Sequence, residues 1–222
     1  MRRTSARRRS FWSVRDSGCR ASTRLFFHGL SVPAPEAIQT VELVWEQRIA
    51  SDMMLTAALF NIDVDNVIRQ DFEDGTAFGY KNAGELRSNG IELQCDYRRG
   101  NGIWSYINYS WQHATENGQR MPNSPEHLAK AGISTPTSRP LQGAIELLYG
   151  SARKTIGGAE TANGLIANMN LTAAITKRLS LGVTIRNLFN TPYATPGGPE
   201  HLQDTIPQDG RTFVVRLIAK GR

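Results

Sequence analysis

Residues 165–176 read LIANMNLTAAIT. Leu165, Ala167, Met169, Leu171, Ala173 and Ile175 fall on one side of an extended chain. Asn168, Asn170, Thr172 and Thr176 fall on the other, with Ile166 and Ala174 breaking its polarity. Side chains alternate across a pleated strand but recur every 3.6 residues on a helix, so a period of two predicts a strand. The next run repeats the pattern, with Leu179, Leu181, Val183 and Ile185 opposite Ser180, Gly182, Thr184 and Arg186. So does 103–113, where Ile103, Ile107, Tyr109 and Trp111 oppose Tyr106, Asn108, Ser110 and Gln112.

Extending this reading predicts nine strands, at 36–48, 53–64, 85–97, 102–113, 126–135, 140–151, 165–176, 179–188 and 211–219. Most exceed the usual length of about 5–6 residues. They suit the roughly 9–11 residues that a tilted strand needs to cross a bilayer. Connections alternate in length: 50–53, 98–102, 135–140 and 176–178 are short, whereas 65–84, 114–125, 152–164 and 189–210 are long. Membrane barrels segregate loops in this way, with short periplasmic turns and long extracellular loops. The expected fold is all-β, an antiparallel transmembrane barrel segment of nine strands. Its last strand runs down to the periplasmic rim. No run approaches the roughly 18 apolar residues of a membrane helix, and mean hydropathy is −0.38.

The formal charge of +6 is unevenly spread. Residues 1–30 carry eight arginines and one acid, Asp16, so the remainder is nearly neutral. This divides the chain into a basic arm over 1–34, expected to be disordered or mis-started sequence, and a body over 35–222. An arm of this kind can meet phosphate of nucleic acid or of anionic lipid. Its most apolar stretch, LFFHGL at 25–30, is too short for the core of a secretory signal. Cys19 and Cys95 have no metal-site spacing, and Cys95 reads as a small apolar residue within a strand.

The segment ending the penultimate strand, VTIRNLFNTPYATPGGPEHLQDTIPQDGRTFVVRL, resembles the C-terminal end of TonB-dependent outer-membrane receptors. Asn187, Leu188, Phe189, Asn190 and Tyr193 match the family's N-L-F-N/D-x-x-Y, and Gly210, Arg211 and Phe213 match the start of its last strand. Upstream, PEAIQTVELVWEQRI resembles a strand introduced by Pro-Glu. Asn82, Gly84, Gly90 and Glu92 in NAGELRSNGIELQCDY match a strand pair. Pro122, Asn123, Pro125 and His127 in MPNSPEHLAKAGIS match a strand entry. The resemblance implies part of a 22-strand barrel that is closed, in the family, by an N-terminal plug. It implies residence in the outer membrane among its lipids. It further implies TonB-energised uptake of a scarce nutrient, an iron–siderophore chelate first, with contact to TonB requiring a plug. The body over 35–222 is expected to be the C-terminal portion of such a barrel, without plug, TonB-contacting box or first barrel half. The motif positions are expected to be structural, and ligand-contacting residues stay unassigned.

Phe189 and Tyr193, with Tyr109, Trp111 and Tyr149, are placed by this reading near the headgroups at the long-loop side, where amphipathic aromatics gather. Glu42, Glu46, Arg48, Glu92, Gln94 and Asp96 share polar strand faces and would line the lumen. His28, His113, His127 and His201 lack ligand spacing, although His113 and His127 flank one loop. The acidic stretch DFEDGT at 71–76 lacks the order of a calcium loop. Nucleophile-elbow and phosphate-cradling motifs are missing from the sequence. No enzyme, no catalytic or metal residue and no cofactor is expected. The alternative in another class is a soluble β-sandwich binding module with a nucleic-acid-seeking arm; the barrel reading expects no nucleic acid partner.

Overall fold

A computed structural model describes residues 9–17, 33–71, 79–136, 140–198 and 200–219. The described residues are strands and loops. In chain order the first six strands are β1 (Arg9–Ser17), β2 (Ala37–Ala50), β3 (Met53–Asp65), β4 (Ile68–Asp71), β5 (Gly79–Asn82) and β6 (Leu86–Arg98). Then come β7 (Trp104–Glu116), β8 (Gln119–Arg120), β9 (His127–Ser134), β10 (Leu141–Gly150) and β11 (Gly164–Ala174). The last are β12 (Leu179–Arg186), β13 (Ala194–Pro196), β14 (Thr205–Pro207) and β15 (Thr212–Ala219).

One antiparallel sheet runs β1-β2-β3-β6-β7-β9-β10-β11-β12-β15, each long strand beside its sequence neighbour. All nine expected strands are present, within three residues at either end. The sheet is open, with β1 and β15 at its edges. The backbone of Arg9–Ser17, inside the stretch assigned to the arm, pairs along β2 from Ile38 to Glu46. Two further ribbons, β4–β5 and β13–β14, form within the long loops.

The register gives the sheet two consistent faces. Between the long strands from β2 to β15 every cross-strand pair joins odd to odd or even to even residue numbers, apart from the shift at Arg48/Ala50. Odd-numbered side chains therefore share one face throughout, and even-numbered ones the other. Away from the long-loop end, where Asn61, Asp63 and Arg87 lie, the odd face is apolar and open: Ile107 is 62% exposed and Val215 69%. Among the exposed large apolar residues of the long strands, only Trp104, Leu128, Val214 and Ile218 are even-numbered. Among the described residues, the buried apolar side chains are small: Ala58, Ala114 and Ala167, with Pro136 and Pro196 in loops and ribbons. A sandwich would interpose a core of large apolar residues between two layers; here one sheet turns them outward, so the soluble alternative is not favoured.

Glu42, Glu46, Arg48, Glu92, Gln94 and Asp96 all occupy the even face, as the alternation requires. Cys95 is odd, half-buried and unbridged. The strand ends at which β2–β3, β6–β7, β9–β10 and β11–β12 are joined by short connections lie at one end of the sheet, and those with long connections at the other.

Candidate ligand cavity at the long-loop rim

The rim is built where strands leave the sheet, and asparagine builds it. Among the described residues the non-glycine positions with positive φ are Asn66, Asn117, Asn123, Asn187 and Asn190, all at the long-loop end. Asparagine tolerates the left-handed region because its short amide bonds locally to the backbone. Asn187 is 2% exposed. Its Nδ2 donates to the Thr191 carbonyl (2.9 Å) and its Oδ1 accepts from the Thr191 amide (2.9 Å). Three residues on, Asn190 Oδ1 accepts from the Arg211 amide at 2.8 Å. The side chain at Asn190 also fills the space a Cβ at Gly210 would need, 2.7 Å away. The N-L-F-N run is thus a clasp that turns the chain out of β12 and fixes where β15 begins. Leu188 continues the ladder by donating its amide to the Ala167 carbonyl (2.7 Å), and Phe189 stands 62% exposed.

The other motif positions are similar fasteners. Asn82 exchanges hydrogen bonds with both backbone groups of Ala34 and donates to the Asn66 carbonyl. Gly84 has φ +110°, and a Cβ there would collide with the side chain of Asn117. Asn117 in turn bridges the Ala83 carbonyl and the Glu85 amide. Asn123 donates its amide to the Lys154 carbonyl (2.8 Å), and Pro125 accepts from Gln112 Nε2. His127 Nδ1 lies 2.8 Å from the Tyr109 hydroxyl. Tyr193 accepts the Gln208 amide at the base of the β13–β14 ribbon. Phe213 faces outward opposite Ile185.

On the even face, aromatic rings cover glycines on neighbouring strands. A Cβ at Gly90 would come within 2.5 Å of the Phe60 ring, and one at Gly132 within 2.5 Å of Tyr106. Tyr106 spans Gly132 to donate its hydroxyl to Glu146 (2.7 Å), joining β7 to β10 across β9. Glu92, the motif acid, is exposed on this face near Gln94 and Lys130.

Side chains knit the long loops together. Arg120 places Nε 3.4 Å from Glu126 and Nη1 3.3 Å from Glu160, and its Nη2 donates to the Ala152 carbonyl. Asp204 accepts from Thr155 and from the Gly157 amide. Below these ties a cavity of about 460 Å³ opens between β9, β10, β11, β12 and the loops that follow β10 and β12. Lys130, Arg153 and Arg186 line it with Asp209, Asn168, Thr195 and Gln208, together with apolar Leu128, Leu148 and Ile166. None of the three cations has a carboxylate within 4.0 Å among the described residues. Such a wall favours an anion and offers it both charge and hydrogen-bond donors.

The polar lining residues lie on three strands and two loops, and the period-two reading placed only Asn168 and Arg186 among them, on the polar faces of their strands. His113 and His127 take different partners: His113 Nδ1 is 3.8 Å from Glu126. No group of His, Cys, Asp and Glu able to hold a metal occurs among the described residues. Residues 72–76 of the acidic stretch, Cys19 and His28 lie outside them.

A two-faced sheet with an apolar outer side, turns at one end and a knitted rim at the other defines the wall of an outer-membrane type of β-barrel. The TonB dependent receptor-like β-barrel profile matches residues 18–188. The chain belongs to that family, a family of outer-membrane transporters. The ferric-catecholate import receptor Fiu of E. coli K12, in its closed form, is similar with a TM-score of 0.68 and 23% identity. The match covers 84% of this chain and 28% of Fiu. The ferric yersiniabactin uptake receptor FyuA of Yersinia pestis gives 0.67 and 20%, over 83% of this chain and 30% of FyuA. The copper transporter OprC gives 0.62 and 15%, over 84% and 31%. The chain thus spans less than a third of each of these relatives.

Proposed function

We propose that this chain forms wall and extracellular rim of an outer-membrane receptor that takes up an iron–siderophore chelate with energy from TonB. It is a transport protein and not an enzyme. The observation that carries the reading is the cavity among the long loops. There Lys130, Arg153 and Arg186, none with a carboxylate within 4.0 Å among the described residues, stand beside apolar side chains such as Leu128, Leu148 and Ile166. Ferric chelates with carboxylate or catecholate donors are commonly anionic, so a cluster of unpaired cations supplies attraction and directional donors together. Import of ferric chelates is named for Fiu and FyuA, whereas OprC carries copper. TonB contact belongs, in this reading, to a plug outside these residues.

The test is binding by the chain refolded in detergent micelles, read as quenching of its four tryptophans. Saturable quenching by ferric chelates, weakened at least about tenfold in an Arg153→Gln/Arg186→Gln double variant, is the expected result. Quenching by copper(II) with none by ferric chelates sinks the iron reading.

A further inference from the structure

The hairpin over 151–163 is held on both flanks. On one side Arg120 ties it to the loop after β7. On the other it meets the loop after β12 at a single side chain, Asp204. The Asp204 Oδ2 lies 2.7 Å from the Thr155 hydroxyl, and Oδ1 accepts the Gly157 amide at 3.0 Å. Thr155 is 2% exposed, the most enclosed sizeable side chain among the described residues. Gly157 has no room for a side chain, because its Cβ would come 2.7 Å from the same carboxylate. The backbone of Asp204 is anchored in turn, its carbonyl accepting from Gly197 at 2.9 Å. Among the described residues these two bonds to Asp204 are the only hydrogen bonds joining the two loops.

Both loops wall the cavity, Arg153 and Thr161 from one and Tyr193, Thr195, Gln208 and Asp209 from the other. Their separation sets its width. We propose that Asp204 is a positioning residue that locks the two loops into one wall and so fixes the size of chelate the cavity admits. The locking stands on geometry; the size selection rests on the uptake reading above. A carboxylate bonded to a hydroxyl and an amide is held by charge-assisted bonds, stronger than neutral ones. Its replacement by alanine leaves the Thr155 hydroxyl to the Ala159 carbonyl (3.2 Å) and the Gly157 amide without its acceptor, so the loops part.

The test labels Ile156→Cys and Leu202→Cys, both exposed positions, with nitroxides in a chain lacking Cys19 and Cys95, and measures their distance in micelles. The parent gives one narrow distribution. In Asp204→Ala it broadens about twofold and shifts longer, as expected when the two loops lose the hydrogen bonds that join them. Asp204→Asn, which keeps one acceptor, falls between. Glu200→Gln, a nearby change outside the tie, leaves the distribution narrow. An unchanged distribution in Asp204→Ala overturns the lock. Ferric citrate and larger ferric trihydroxamates are then compared by tryptophan quenching. The parent prefers one size and Asp204→Ala levels the preference; an unchanged preference with parted loops overturns the size selection. If no chelate quenches even the parent while the distances respond, the uptake reading and the size selection built on it fail and the lock stands.

Discussion

Asn190 accepts the backbone amide of Arg211 through its side chain, 2.8 Å away and 21 positions further along the chain. This bond, with the Asn187 clasp on Thr191, sets the start of β15 against the end of β12. Asn190→Ala loses it and leaves an alanine at φ 53°. The expected cost is about 2–3 kcal/mol, combining one lost hydrogen bond with left-handed strain. Asn190→Gly relieves the strain and costs about 1 kcal/mol. Urea unfolding in micelles gives both values, and equal losses for the two variants would refute this account of the turn.

The two faces differ in what they tolerate. Leu93 points outward and Gln94 inward from adjacent positions of β6. Leu93→Arg is expected to cost about 2–4 kcal/mol in a lipid-embedded barrel, against less than about 1 kcal/mol for Gln94→Arg on the wet side. The heat-modifiable mobility of the folded form on SDS gels tracks the difference. Matching losses at both sites would mean that the odd face does not meet lipid.

Tyr106 needs Gly132 to be bare. Gly132→Val pushes the ring off its path to Glu146 and is expected to destabilise by about 1–3 kcal/mol. Adding Tyr106→Ala removes the obstacle, so the double variant should be no worse than Tyr106→Ala alone. A double-mutant cycle reads this coupling; additive losses would show that the ring does not cross the glycine.

Cys95 is half-buried on the odd face. In liposomes, with Cys19 replaced by serine, an apolar maleimide should label it and a membrane-impermeant charged one should not. Rapid reaction with the charged reagent would place this part of β6 in water.

The strands were legible because alternation is a local signal repeated along each one, from Val41–Trp45 to Phe213–Leu217. The ribbons Ala194–Pro196 and Thr205–Pro207 were not, since three residues are too few to show a period. The motif asparagines stood out as structural positions, but not as clasps: the tie from Asn190 to Arg211 depends on a loop path that no spacing reports. The cavity was less legible still. Lys130, Arg153 and Arg186 are far apart in the chain and meet only because three hairpins lie side by side. Asp204 carries no local signal that sets it apart from its neighbour Gln203. Its two partners come from the turn at Thr155 and Gly157, where two glycines gave the only hint of a close approach.

The odd–even register has an evolutionary side. A one-residue insertion inside a long strand inverts every side chain between it and the next turn, putting leucines into the lumen and glutamates into lipid. Length can therefore vary at little cost only where the parity can be reset, and the short turns, of as few as two residues between β2 and β3, leave little slack for that. Drift is channelled to the long-loop side. Relatives built on this wall are free to diverge mainly at the end that meets the outside world, so changes of cargo can accumulate while the barrel itself stays put.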